Sequence, residues 1–202
     1  MANITAADIS KLRAMTAAGL MDCKQALTEA EGDFDKAIEI LRKKGQKIAS
    51  KRQDRDAKEG CVLSGVTADG KTACLVVVNC ETDFVAKNAD FIALTQLILD
   101  TTLANKPANL DALNALAIEG RTIAELVTDR SGVTGEKMEI GYYEFVEGAT
   151  VVEYIHPGNK LATIVAFAEA GVDHQVARDV AMQAAAMNPV ALNRDAVPAD
   201  VI

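Results

Sequence analysis

The stretch "ADGKTACLVVVNCETDFVAKNADFIALTQLILD", Ala68–Asp100, contains the transitions that decide the fold. An Asp-Gly pair between two apolar runs is a strong signal for a β-hairpin. The second run, "KTACLVVV", predicts a buried strand, whereas "ADFIALTQLILD" predicts a helix. Between them, "NCETDFVAKN" places an acid, a large aromatic residue and a valine in a row at the turn, where a connection of a few residues would be enough.

Length and composition are those of an ordinary globular protein. The 202 residues suffice for one or two domains with a real core, since half of them are apolar and a quarter are charged. No apolar run is long enough for a membrane-spanning helix, and the N-terminus has no pattern of an export signal or transit peptide. The four cysteines form no CxxC pair, which favours reduced thiols in a cytoplasm.

The charge is unevenly distributed along the chain. The net charge is −8, yet residues 42–58 carry eight Lys or Arg against two Asp, so the remainder is strongly acidic. An acidic body argues against general nucleic-acid binding and predicts no DNA partner. The basic run favours a solvated helix or linker, with contact to an acidic protein or RNA as the alternative.

The first 55 residues predict three short helices. Asp22 is predicted to start the second helix and Asp33 to cap the third. Apolar residues recur at helical spacing in these two helices: Cys23, Ala26, Leu27 and Ala30, then Phe34, Ala37, Ile38 and Leu41. Leu20 and Met21 lie in the turn before the second helix, where they either close the core of the bundle or form an exposed apolar docking patch.

Two later parts of the chain resemble each other. Gly70–Pro107 and Gly158–Pro189 each contain an apolar strand after a hairpin turn, then a helix that ends near a proline. The helical pieces have equal length, but the segment before the helix is six residues longer in the first copy. The surplus falls in "CETDFVAKNAD", so the first copy carries an insertion where the second makes a plain turn.

These patterns predict an α+β fold with a three-helix bundle and a core of two repeated subdomains. Each subdomain is predicted to be an antiparallel β-sheet with packed helices, and a helical zone is predicted over about 89–131. The predicted boundaries are 1–55, 56–147 and 148–202. The second copy has no counterpart of the strand "KMEIGYYEFVEG", so the second half is predicted to be incomplete and the chain to be a fragment.

Two interpretations of the insertion remain open. Binding residues concentrate on loops held by a rigid scaffold, and there Phe84 would be an apolar wedge and Asp83 an acid that interferes with a cation's coordination. Alternatively, Thr82 or Asp83 caps the following helix, and Phe84 packs back against it as a hydrophobic staple.

Several stretches resemble the bacterial elongation factor Ts family. "TAADISKLRAMTAAGLMDCKQALTEAEGDFDKAIEILRKKG" is similar to the family's N-terminal ubiquitin-associated (UBA)-like module, and "VNCETDFVAKN" is similar to a signature of its core. The resemblance continues through "MEIGYYEFVEG" and "EYIHPGNKLATIVAF" and covers essentially the whole chain. It implies a guanine-nucleotide exchange factor that promotes GDP release from elongation factor Tu by disturbing the Mg²⁺ and phosphate site during translation elongation.

The resemblance implies roles for four residues of the insertion. Asp83 and Phe84 match the pair that intrudes near the nucleotide site of elongation factor Tu. Phe84 would wedge between side chains of the partner, and Asp83 would lie close to the Mg²⁺ environment. Thr82 and Val85 would shape the loop.

The resemblance also implies contacts outside the insertion. Leu12, Leu20 and Met21 match the contact of the N-terminal module with the GTPase domain of elongation factor Tu. His156 matches a contact of the core with a β-domain of the same partner. The implied partner is elongation factor Tu in its GDP-bound and nucleotide-free states, with no membrane partner and with a homodimer through a C-terminal region left open.

An exchange factor is not an enzyme in the covalent sense and needs no catalytic residue, metal or cofactor of its own. The sequence contains neither GxxxxGK[ST] nor GxGxxG. The runner-up is a non-catalytic UBA-like binding or adaptor protein, which would leave "ETDFVAKN" without a use. An enzyme would have to use Cys80 with His156 or His174, or Glu81 with Asp83, and no nucleophile motif or metal spacing supports it.

Overall fold

The computed structural model describes residues 4–201 and confirms the predicted α+β class. The helices are α1 Ala6–Thr16, α2 Leu20–Glu29, α3 Phe34–Lys51, α4 Asp83–Ala86, α5 Ala89–Asn105, α6 Leu110–Ala115, α7 Ile123–Thr134 and α8 His174–Met187. The strands are β1 Glu59–Val66, β2 Thr72–Cys80, β3 Ala117–Ile118, β4 Arg121–Thr122, β5 Glu139–Glu147, β6 Thr150–Ile155 and β7 Ala162–Phe167, and a short 3-10 turn covers Arg194–Ala196.

The described strands form three sheets, and the chain divides into two compact units. The sheet orders are β1-β2-β5, β3-β4 and β6-β7. The first unit contains α1, α2, α3, α4 and α7 with the β3-β4 pair, and the second contains α5, α8 and the β6-β7 pair. The domain boundaries predicted from the repeat do not follow this division, and they stay predictions.

The N-terminal helices form the predicted three-helix bundle. Its core contains the expected stripes, with Leu12, Cys23, Ala26, Leu27 and Ala37 among its buried members. Asp33 caps α3, as predicted, by accepting a hydrogen bond from Lys36 N–H at 3.1 Å. The predicted start of α2 at Asp22 is wrong, because the helix begins two residues earlier behind Gly19. Asp22 instead forms an ion pair with Lys44 at 2.6 Å.

The basic run is helical in its first part. Helix α3 continues without a break through Gly45 to Lys51, so this part of the run is a helix and not a linker. Several of its cations have partners within the first unit: Arg42 approaches Glu125 at 3.6 Å, and Arg52 approaches Glu81 at 2.8 Å. These pairs reduce the positive charge that the run presents to solvent.

Helices α3 and α7 approach each other most closely at two glycines. A Cβ atom on Gly132 would overlap Gly45 Cα, and one on Gly45 would meet Gly132 Cα at 3.2 Å. Gly45 is buried, although it lies in the middle of an 18-residue helix. Glycine normally weakens the interior of a helix. At these two positions the absence of a side chain allows the backbones of the two helices to contact each other.

Residues 117–122 form a short hairpin that the sequence analysis missed. The prediction of a helical zone over about 89–131 is therefore correct for α5, α6 and most of α7 but wrong for β3 and β4. The turn between them is made by Glu119 and Gly120, both with positive φ, at 51° and 79°. Two-residue strands are too short to show the alternation that identifies longer ones.

The second hairpin and the last helix form the predicted structure. β6 and β7 pair in antiparallel register from Thr150 opposite Phe167 to Ile155 opposite Ala162. Helix α8 packs on this hairpin through Ala177 and Ala181. Its end at Met187 precedes Pro189, as the sequence indicated.

Glu153 on β6 is a largely buried acid within the second unit. Burial raises the pKa of its carboxyl, and this effect outweighs the Ser64 hydroxyl and the Arg178 guanidinium, which both lower it. The same charge, added to burial, raises the pKa of the Cys74 thiol to about 12. An ionised Glu153 therefore destabilises the fold near neutral pH.

Replacing Glu153 by Gln is expected to increase the free energy of unfolding by about 1 kcal/mol at neutral pH. The folded-state pKa of Glu153 lies above the ordinary value of 4.5. Below that pH the acid is protonated and does not destabilise the fold, and the destabilisation develops as the pH rises through the folded-state pKa. The gain should therefore shrink as the pH falls toward 4.5. Urea unfolding across this range measures it, with the exposed Glu169→Gln as control. A gain independent of pH would contradict the assignment.

Replacing Gly132 by Ala is expected to lower the free energy of unfolding by about 1 kcal/mol. Overpacking at the crossing with Gly45 costs roughly 1–3 kcal/mol, which exceeds the gain of up to ~1 kcal/mol in helix propensity. Urea denaturation followed by circular dichroism measures the change. Thr128→Ala on the same helix gains propensity without entering the crossing, so a destabilisation no greater in Gly132→Ala than in this control would show that the helices can separate freely.

Candidate functional site

The insertion predicted at the end of β2 forms one helical turn. Thr82 has extended backbone, with φ −126° and ψ 154°, and its hydroxyl accepts the Val85 N–H at 3.5 Å as the N-cap of α4. The turn closes with hydrogen bonds from Lys87 N–H to Asp83 O at 3.1 Å and from Asn88 N–H to Val85 O at 3.0 Å. Of the two predicted caps, Thr82 is therefore the correct one.

Phe84 projects into solvent from this turn. Its side chain is 84% exposed, whereas Ala86, two residues later, is buried. The alternative in which Phe84 packs back as a hydrophobic staple is therefore wrong. A large aromatic ring with almost all of its surface in water contributes little to the stability of its own chain, which leaves contact with a partner as the use that the arrangement supports.

Asp83 lies beside Phe84 and is held by a local ion pair. Lys87 Nζ approaches its carboxylate at 2.6 Å, with side-chain exposures of 70% for the lysine and 40% for the aspartate. Exposed pairs of residues four apart on a helix contribute only about 0.3–0.5 kcal/mol. The ion pair with Lys87 is therefore weak, and the carboxylate can exchange this lysine for another cation at small cost in that pair.

Two glutamates, Glu81 and Glu136, hold the base of the turn by accepting backbone N–H groups from each other's chain segment. The Glu136 carboxylate accepts the N–H groups of Glu81 at 3.1 Å and Thr82 at 3.0 Å, and it accepts the Thr82 hydroxyl at 2.7 Å. In return, the Glu81 carboxylate accepts the Lys137 N–H at 2.6 Å and two hydrogen bonds from Arg52 at 2.8 and 3.0 Å. We call this set of contacts the carboxylate brace.

The Glu81 carboxylate is held in its ionised form. Burial alone would raise its pKa, but the Lys137 N–H and the Arg52 and Arg55 guanidinium groups together lower it below the ordinary value. The carboxylate therefore stays charged near neutral pH. Glu81 and Asp83 do not share a site as an acid–base pair, because each has its own cationic partners.

Cys80 lies beneath the turn as a protonated thiol. Its Sγ donates to Thr82 O at 3.2 Å, and burial, followed by the Glu136 charge, raises the pKa of the thiol to about 11. A thiol with this pKa is a poor nucleophile at neutral pH. The enzyme alternative built on Cys80 therefore has no chemical support in the geometry.

Asn79 fixes the strand just before the turn. Its Nδ2 donates to Glu59 O at 3.0 Å, and its amide occupies the space where a Cβ on Gly141 would lie. Gly60 likewise has no room for a Cβ, because Val78 O and Asn79 approach it closely. Two glycines on neighbouring strands thus admit the asparagine side chain.

The predicted residues of the N-terminal module separate into two groups. Leu20 and Met21, adjacent at the start of α2, are 50% and 74% exposed and form an apolar patch, and Met15 near the end of α1 is 56% exposed. The alternative in which Leu20 and Met21 close the bundle core is wrong. Leu12 is fully buried, so the structure gives no support for its direct contact with a partner.

His156 lies in the turn of the second hairpin, within the second unit. Its Nδ1 lies 2.8 Å from Tyr154 Oη, and its backbone N–H donates to Leu161 O at 2.8 Å. The Arg178 guanidinium lies over the Tyr154 ring at 5.6 Å from the centroid. The histidine is exposed and is oriented by these neighbours.

Two kinds of feature are absent from residues 4–201. None of their helices is long and apolar enough to cross a membrane. In that same range, no group of three or more His, Cys, Asp or Glu side chains is arranged to hold a metal ion.

Comparison with known proteins decides the family. The family model described as Elongation factor TS matches residues 81–202, which begins at the turn described above. Elongation factor Ts of Porphyromonas gingivalis is 60% identical over 200 residues, which cover 98% of this chain and 72% of that protein. The chain belongs to the elongation factor Ts family.

Further members of the elongation factor Ts family give the same result. Elongation factor Ts of Azobacteroides pseudotrichonymphae is 54% identical over 199 residues, which cover 98% of this chain and 72% of that protein. Elongation factor Ts of Bacteroides thetaiotaomicron is 57% identical over 199 residues, covering 98% of this chain and 59% of that longer protein. The resemblance inferred from the sequence motifs is confirmed, and with it a place among translation elongation factors.

The sequence predicted the exposed turn but not the contacts that hold it in place. Glu136 and Arg52 are 54 and 30 residues away from Thr82 along the chain, and neither lies in a recognisable motif. Glu81 was considered only as a possible acid–base partner of Asp83. The one available signal was that a charged residue stands directly after a buried strand, where backbone N–H groups need acceptors.

Phe84→Ala is expected to leave the free energy of unfolding within about 0.5 kcal/mol of wild type, because the ring is mostly in solvent. Leu12→Ala, which removes a fully buried side chain from the bundle, is expected to cost about 2–5 kcal/mol. Urea unfolding of both variants measures the difference. A loss in Phe84→Ala approaching that of Leu12→Ala would mean that the ring packs against the chain in solution.

Proposed function

We propose that this chain is a guanine-nucleotide exchange factor for elongation factor Tu and acts in the cytoplasm during translation elongation. The observation that carries the proposal is Phe84, an exposed aromatic side chain on a turn whose backbone is held from below. Membership of the elongation factor Ts family supports the same function.

Phe84 supplies the binding energy expected of a wedge. Full burial of such a side chain in a partner's pocket yields about 1.5–3 kcal/mol relative to exposure. Because the ring has few contacts in the free chain, little has to be broken before it binds. Aromatic side chains of this kind are typical anchors at the centre of interfaces.

Asp83 supplies the negative charge next to the wedge. A bound Mg²⁺ is the largest local charge that holds nucleotide phosphates, so a group that disturbs its coordination weakens GDP binding. The Asp83 carboxylate is short, lies one residue from the wedge and forms an ion pair with the exposed Lys87 in the free chain. We assign Thr82 and Val85 the supporting role, since they set the N-cap of the turn.

A second contact is proposed at the patch of Leu20 and Met21. Methionine and leucine side chains exposed at the start of a helix adapt to an apolar partner surface. Leu12 would act there only indirectly, as part of the core behind α2. We propose His156 as a further contact, separate from the turn, because it is exposed and has an ordered ring orientation.

The exchange activity follows from binding alone. A factor that binds nucleotide-free elongation factor Tu more tightly than the GDP-bound form must lower the affinity of its partner for GDP by the same factor. No covalent step is needed, and GTP enters when GDP has left. The runner-up, an adaptor without exchange activity, would use the Leu20–Met21 patch but would give Asp83 and Phe84 no role.

Release of a fluorescent GDP from elongation factor Tu, followed by stopped flow, tests the proposal. Wild type is expected to accelerate release, and Phe84→Ala and Asp83→Ala are each expected to lose about tenfold or more of that acceleration while still binding the partner. Tyr142→Ala removes a half-exposed aromatic ring elsewhere and serves as the matched control. Excess Mg²⁺ should slow wild type more than Asp83→Ala.

The alternatives predict different outcomes for the same experiment. Binding of elongation factor Tu without faster release would support the adaptor function. Equal release rates for wild type and both variants would show that the turn is not the part that acts on the nucleotide site. Loss of binding in Leu20→Ala with Met21→Ala, but not in Phe84→Ala, would separate docking from release.

A further inference from the structure

The turn that carries Asp83 and Phe84 is not stable in one orientation by itself. Helix α4 is a single turn of four residues, and isolated turns of this length are unstable. Phe84 points into solvent, and of the four residues only Ala86 is buried. The direction of the wedge therefore depends on contacts at the base of the turn.

Glu136 satisfies the polar groups of that base. One carboxylate oxygen, Oε2, accepts two successive backbone N–H groups at 3.1 and 3.0 Å, where β2 has just ended. The other oxygen, Oε1, accepts the Thr82 hydroxyl at 2.7 Å. This hydrogen bond fixes the hydroxyl proton, so the Thr82 oxygen keeps a lone pair for the Val85 N–H.

Glu136 is itself held in place by helix α7. Gly135 ends this helix in the left-handed conformation with φ 74°, and the Ser131 hydroxyl donates to Glu136 O just beyond it. The next residue, Lys137, donates its N–H to Glu81. The carboxylate brace thus links residues 81–82 and residues 136–137 by hydrogen bonds that each segment donates to the other. These bonds restrict the rotation of both segments.

Arg52 connects the brace to the bundle. It follows the last residue of α3 and donates twice to Glu81, while the same helix is fixed against α7 at the two glycines. Lys44 on α3 pairs with Asp22, next to the exposed Leu20 and Met21. All of these residues belong to the first unit, so one connected set of contacts supports both proposed docking surfaces.

We infer that Glu136 and Glu81 are positioning residues for nucleotide release, which hold the turn in its binding conformation before the partner arrives. The inference rests on the proposed exchange function for its effect on release. Its structural part, that these residues order the turn in the free chain, does not depend on that function. Pre-ordering removes an entropy cost of roughly 0.5–1.5 kcal/mol for each side chain that would otherwise be immobilised on binding.

The decisive experiment combines Glu136→Ala and Phe84→Ala in a double-mutant cycle of GDP release from elongation factor Tu. Glu136→Ala alone is expected to reduce the maximal release rate by about tenfold, with a smaller change in the concentration for half-maximal effect. In the Phe84→Ala background, the same substitution should reduce the rate by less than about twofold, because its effect acts through the wedge. Glu136→Gln keeps one acceptor oxygen for the two N–H groups but not the acceptor of the Thr82 hydroxyl, so it should recover part of the loss.

A parallel measurement needs no partner. Amide hydrogen exchange in the free chain is expected to be faster over 81–87 in Glu136→Ala than in wild type, with exchange in α1, α2 and α8 unchanged. Exposed Glu144→Gln, on β5, should change neither measurement.

The outcomes separate the positioning role from the exchange function. If wild type fails to accelerate release but Glu136→Ala still loosens 81–87, the proposed function is wrong and the ordering of the turn is correct. Unchanged exchange over 81–87 in Glu136→Ala would overturn the inference, whatever the release rates. An undiminished effect of Glu136→Ala in the Phe84→Ala background would overturn it as well, since it would indicate general destabilisation.

Discussion

The site depends on reciprocal hydrogen bonds between residues 81–82 and residues 136–137, in which the Glu81 and Glu136 carboxylates accept backbone N–H groups of the opposite segment. A chain that leaves a buried strand and turns outward loses the ladder that satisfied its N–H groups, and each unpaired group costs about 1–3 kcal/mol. Hydrogen bonds to a charged acceptor are roughly twice as strong as neutral ones. The hydrogen bonds of the brace thus remove the cost of unpaired N–H groups and also fix the orientation of the turn.

The close crossing of α3 and α7 is the condition under which the brace can form. Arg52 comes from the end of one helix and Glu136 from the residue after the C-cap of the other, so the separation of the helices sets the distance that both side chains must span. Glycines at positions 45 and 132 permit backbone contact. They lower the intrinsic helix stability by about 1 kcal/mol each, and that cost is offset by packing at the crossing.

The sequence predicted those features that depend on neighbouring residues. Helix stripes, the Asp-Gly hairpin and the Asp33 cap each arise within a few positions, and all are present. The sequence left the exposure of Phe84 open, because a hydrophobic staple and an exposed wedge require the same residues. Glu136 could not be found, since a contact 54 residues away leaves no periodicity and depends on how α7 packs. The start of α2 was misplaced because Asp22 is equally suited to an N-cap and to an ion pair.

Three carboxylates, those of Glu81, Asp83 and Glu136, lie on the turn or hold its base, and their surroundings decide which of them can act on a partner. The Glu81 side chain is only 13% exposed and is held by the Lys137 N–H and Arg52. Glu136 is committed to two N–H groups and a hydroxyl. Asp83 forms an ion pair with the exposed Lys87, and such a pair contributes a few tenths of a kcal/mol. Two acids therefore fix the turn, and the third, Asp83, is partly exposed beside Phe84, where we propose that its charge acts on the partner's site.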